Sequence, residues 1–71
     1  MDFGTMIRVE RDKNKISQKE LAEKAGIGSG YLCDIERGRK LPSYPVALKL
    51  SSSFATSNLL MEQYKKEIER S

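Results

Sequence analysis

The tightest constraint on this chain is the join between two short helical patterns at Gly26-Ile27-Gly28. Upstream, Ser17-Gln18-Lys19-Glu20 reads as a capping box. The serine hydroxyl takes the free backbone N–H three residues on, and the glutamate reaches back to the serine N–H. Leu21, Ala22 and Ala25 then share one face, and Gly26 supplies the stop, because helices often end on a left-handed residue. The helix so defined has about two turns. Downstream, an apolar pair three apart, Leu32 and Ile35, marks the next helix, and Arg37-Gly38-Arg39-Lys40 closes it with a glycine stop in a basic cluster. Two helices cross steeply only when the connection is tight and the contact residues are small, which Ala22, Ala25 and Gly26 provide. Ile27 in the turn plugs the space between them.

Three further helices are expected around this pair. The first runs from about Phe3 to Lys13, with Phe3 and Ile7 four apart and Met6 and Val9 on neighbouring faces, and it ends in the polar break Lys13-Asn14-Lys15. After the extended Leu41-Pro42, Ser43 is placed to cap a fourth helix whose early turn tolerates Pro45. Its inner face reads Tyr44, Ala47, Leu50, Ser51 and Phe54. Ser57 is placed to cap a fifth, with Leu60, Tyr64 and Ile68 in an i, i+4, i+8 row and Leu59 and Met61 beside it. The reading is all-α: five short helices, no strand and no internal repeat, in a single domain over residues 1–71 with 57–70 as a C-terminal helix.

Composition narrows how such a chain is held together and what it does. Its 71 residues make one small domain burying on the order of 60 % of its surface. With one cysteine (Cys33) and no histidine, neither an internal disulfide nor a Cys/His zinc site can be built, so helix packing or self-association must supply the stability. No metal and no cofactor is expected. The commonest general base is missing and nothing activates Cys33, which reads as a tolerated small residue, so no enzymatic activity is expected. Gly26-Ile27-Gly28-Ser29-Gly30 follows a helix rather than a strand and lacks the Walker lysine, which excludes a phosphate-cradling nucleotide loop. No apolar run exceeds the three residues of Leu59-Leu60-Met61, too short for a membrane span or secretory signal, and a cytoplasmic location is expected. The balance of 13 Lys+Arg against 10 Asp+Glu, net +3, is a mild bias toward polyanions.

A tight join between short helices, with a basic cluster after the second, is the physical description of a helix-turn-helix, whose second helix enters the DNA major groove. The stretch Ser17-Gln18-Lys19-Glu20-Leu21-Ala22-Glu23-Lys24-Ala25-Gly26-Ile27, followed by Tyr31-Leu32-Cys33-Asp34-Ile35-Glu36-Arg37-Gly38-Arg39, resembles the phage-repressor (lambda-repressor-like, Cro or XRE) helix-turn-helix family. The resemblance runs from about Phe3 through Pro42 and more loosely to Phe54. It implies five helices around one core and a homodimer on palindromic DNA. It also implies that Gln18, Gly28, Arg37, Arg39 and Lys40 contact phosphates, that Ser29 and Asp34 lie among the base-reading positions, and that Arg11 and Glu36 form a buried salt bridge between the first and third helices. Gly28 lacks the usual polar cap and Gly30 offers no side chain to a base. Asp34 would be repelled by phosphates yet can accept from a cytosine amino group, so base readout falls to Ser29, Tyr31 and Asp34, although Tyr31 could equally pack or touch phosphate. Ser51, Ser52, Ser53 and Thr56 replace apolar residues usual in the family, so the C-terminal third is expected to pack differently.

Leu60, Met61, Tyr64 and Ile68 admit two uses: the first turns of the last helix close the core, or the row forms a dimer seam, which is the reading narrowly preferred. The expected function is that of a repressor-type transcriptional regulator, binding double-stranded DNA as a homodimer with recognition helices about 34 Å apart. No effector domain fits in 71 residues, so regulation would come through concentration, dimerisation or a second regulatory protein. The rival is a protein-interaction module or anti-repressor that keeps the fold with weak DNA binding.

Overall fold

In the computed structural model, which describes residues 1–70, the chain forms α1 (Phe3–Lys13), α2 (Gln18–Ala25), α3 (Ser29–Glu36), α4 (Tyr44–Ser51) and α5 (Ser57–Arg70), with no strand among the described residues. The helix ends follow local chemistry. Asp2 caps α1 by accepting the Thr5 N–H at 2.8 Å, and hydrogen bonding to Thr5 holds its carboxyl below the usual aspartate value. The Ser17 and Glu20 capping box is present, with both reciprocal bonds made. Gly26 ends α2 at φ +70° and ψ +30°, where any side chain would be strained. Its N–H and that of Ile27 return to the carbonyls of Glu23 and Ala22, the paired closure of a Schellman motif.

Twelve side chains form the core, drawn from every helix: Phe3, Ile7, Leu21, Ala22, Ala25, Leu32, Ile35, Ala47, Leu50, Phe54, Leu60 and Tyr64. Gly4 lets α1 approach α3 closely, since a Cβ there would collide with the Ile35 carbonyl. α5 packs against both α1 and α4. Its Glu67 accepts the Phe3 N–H at the start of α1, 2.6 Å away. Tyr64 meets the Phe3 ring edge-on at 5.3 Å between centroids and donates its hydroxyl to the Pro42 carbonyl at 2.6 Å. Burial, with Tyr31 nearby, raises the Tyr64 phenol above its ordinary pKa.

This packing corrects the expectation that Leu60 and Tyr64 line a dimer seam. They are 1 % and 2 % exposed inside the protomer, because the i, i+4 row faces α1 and α4. Met61 is half-buried, and Ile68 is 43 % exposed. The starts of α4 and α5 also differ from the sequence reading. Tyr44 is half exposed at the start of α4, and the Ser43 hydroxyl makes no capping bond. Ser57 is the first helical residue rather than the cap; Thr56 precedes it, and its hydroxyl is buried without a partner among the described residues. Ser51, in place of an apolar residue, is fully buried and satisfied by donating to the Met61 sulfur at 3.4 Å.

Candidate nucleic-acid interface

α3 is oriented by its two buried apolar residues. Leu32 and Ile35 point inward, which leaves Ser29 and Gly30 exposed and Cys33 and Asp34 partly exposed on the opposite side. Gly28 caps α3 without a side-chain bond, and no acidic residue lies in the first turn. A Cβ on Gly28 or Gly30 would meet nothing within 4 Å, so the fold itself does not require glycine at either position.

Glu36, at the end of α3, is the one buried acid among the described residues and ties three helices together. Its carboxylate accepts from Arg11 Nε at 2.9 Å and Arg11 Nη2 at 3.0 Å, a bidentate pair, and from Gln18 Nε2 at 3.2 Å. The same arginine donates to the Ile16 carbonyl at 3.1 Å. With side-chain exposures of 15 % for Arg11 and 4 % for Glu36, the pair lies inside the protein, and the bond to Glu36 raises the already high guanidinium pKa. The expected Arg11–Glu36 bridge between α1 and α3 is therefore present. Gln18 gives one amide N–H to this network and keeps a second for another acceptor.

Beside the network lies an open polar cleft lined by Arg8, Arg11, Gln18, Cys33, Glu36 and Arg37. Arg11 is matched by Glu36, whereas Arg8 and Arg37 are exposed and have no ion-pair partner among the described residues. Arg8 was not legible as a site residue. The signal was its position three before Arg11, on the same side of α1, but that mattered only once Glu36 and Gln18 fixed where the side faces. Arg39 is likewise exposed, with no ion-pair partner among the described residues. Lys40, expected on the DNA backbone, lies 3.7 Å from the Asp34 carboxylate and 5.8 Å from the centroid of the Tyr31 ring. Tyr31 is half-buried against the core on one flank, the packing use open for it, and meets Lys40 on the other.

No group of three or more Cys, Asp or Glu side chains that could hold a metal occurs among the described residues, and no helix is long and apolar enough to cross a membrane.

A packed α2–α3 pair joined through Gly26-Ile27-Gly28, an exposed outer face on α3 and flanking cations define a helix-turn-helix protein. The chain belongs to the helix-turn-helix family, whose family model matches residues 7–57, and its five-helix form is the lambda-repressor-like one. It is 34 % identical over 54 residues to an uncharacterized HTH-type transcriptional regulator of Mycobacterium tuberculosis, covering 76 % of this chain and 39 % of that protein. It is 46 % identical over 43 residues to the immunity repressor protein of Bacillus phage phi105, covering 61 % and 30 % respectively. With the HTH-type transcriptional regulator ImmR of Bacillus subtilis it shares 37 % identity over 57 residues, 80 % of this chain and 45 % of that one. The chain thus spans less than half the length of these relatives. No solved structure matches it.

Proposed function

We propose that this protein is a repressor-type transcriptional regulator of the cytoplasm that binds double-stranded DNA sequence-specifically as a homodimer on a palindromic operator. The observation that carries this reading is the exposed outer face of α3 flanked by unpaired cations on three segments: Arg8 on α1, Arg37 at the end of α3 and Arg39 just beyond it. α3 lies in the major groove, where Ser29, Tyr31 and Asp34 read bases. Phosphates are held by the second amide N–H of Gln18, the exposed backbone at Gly28, Arg37, Arg39 and, added to that set, Arg8. Arg11 and Glu36 position this surface without touching DNA. The names of the relatives, transcriptional regulators and a phage immunity repressor, favour the same role. The chemistry is that of a binding protein, and no catalytic step is assigned.

The dimer is assigned to apolar side chains that the protomer leaves exposed: Ile68 on α5, with Tyr44 and Leu48 one turn apart on the exposed side of the adjoining α4. The test is selection of binding sites from a random duplex pool. Two inverted half-sites with centres one helical turn, about 34 Å, apart support the proposal. Failure to enrich any sequence contradicts it and favours a protein-interaction module.

A further inference from the structure

Asp34 is the one charged side chain on the outer face of α3, one turn after Gly30, which presents no side chain at all. A carboxylate only accepts hydrogen bonds, so in a major groove it can select only an exocyclic amino group, N4 of cytosine or N6 of adenine. An unmatched carboxylate there would also be pushed away by the phosphates on either side. The chain supplies the match from its own backbone course. α3 ends in a Schellman turn at Gly38, φ +77°, in which the Arg39 N–H donates to the Asp34 carbonyl at 2.9 Å. That bond anchors the segment after α3 to residue 34 itself and brings Lys40 back beside its side chain, 3.7 Å from Oδ2. Tyr31, one turn before Asp34, lies under the same ammonium with its ring centroid 5.8 Å away.

We propose that Lys40 is a positioning residue for base recognition: with Tyr31 it holds the Asp34 carboxylate in place to select an amino-bearing base, and it does not clamp the DNA backbone. This rests on the DNA-binding reading above and assigns the specificity of that same surface. Because the pair is neutral as a unit, Lys40 adds little to long-range attraction, unlike Arg8, Arg37 and Arg39.

The two roles of Lys40 separate in one experiment. Duplexes enriched by the wild-type protein are altered one base pair at a time, and affinities are measured across a salt series for wild type, Lys40→Met, Asp34→Asn and the double variant. The wild type should lose on the order of ten-fold affinity where one amino-bearing base is replaced by a keto-bearing one. Which base the wild type prefers distinguishes cytosine from adenine. Lys40→Met and Asp34→Asn should each abolish that preference, and the double variant, whose net charge equals that of the wild type, should keep the wild-type salt slope and discriminate no worse than either. Weakening of all duplexes by Lys40→Met with the base preference intact, and the slope smaller by about 0.9, would make Lys40 a phosphate clamp and overturn the proposal. So would a Lys40→Met variant indistinguishable from wild type. If the wild type itself prefers no duplex, the DNA-binding reading fails, and this assignment fails with it.

Discussion

Glu36 illustrates how much depends on single residues in a core of this size. It is nearly sealed from solvent and accepts three hydrogen bonds from Arg11 and Gln18, so removing it leaves the Arg11 guanidinium buried without its partner. Glu36→Ala should lower stability by about 3 kcal/mol or more. A shift in the urea midpoint checks this, and an unaltered midpoint would place the pair outside the packed interior. The glycines divide just as sharply. Gly4→Ala drives a methyl group into the Ile35 carbonyl and should destabilise by about 3 kcal/mol, because α1 and α3 must move apart. Gly30→Ala meets nothing and should stabilise by about 1 kcal/mol, since only helix propensity changes. Thermal melts of the two variants should move in opposite directions. The Arg11–Glu36 pair was legible in the sequence through family resemblance. The Asp34–Lys40 pair was not, because it depends on how the chain folds back after Gly38.

The helices were legible where their ends are set by local chemistry. Ser17 with Glu20, Gly26, and the Phe3–Lys13 periodicity each act within a few residues, so the bounds of α1 and α2 follow from the sequence alone. What failed was the assignment of a face to a partner. Leu60 and Tyr64 form a row visible in the sequence, but whether a row is covered by the same chain or another is decided by elements tens of residues away, here Phe3 and Pro42. Tyr44, read as an inner-face residue of α4 and half exposed in the fold, misled for the same reason. Caps also carry a pH signature. The Asp2 carboxyl is lowered in the folded protein, so the stability it adds is present above the ordinary aspartate range, about 4, and is lost as pH falls through its lowered folded value. Asp2→Asn keeps a capping side chain but removes this titration. Its acid unfolding profile should lose that component relative to wild type, and coincident profiles would show that the cap does not titrate with folding.

For the whole molecule, twelve side chains form the core among the described residues, while exposed apolar side chains on α4 and α5 leave room for a second copy. Replacing both Leu48 and Ile68, which are exposed, by serine should shift the protein toward monomer in sedimentation at micromolar concentration while its helical circular dichroism persists. An unchanged mass distribution would move the dimer contact elsewhere. The central claim is that α3 and its flanking arginines form a DNA-binding surface. The most direct test is the salt dependence of binding to a duplex, compared between wild type and Arg39→Ala. With Arg8, Arg37 and Arg39 each neutralising one phosphate, log affinity against log salt should fall with a slope of about −2.7 per protomer, and Arg39→Ala should reduce that magnitude by about 0.9. A slope near zero, unchanged by Arg39→Ala, would contradict the claim.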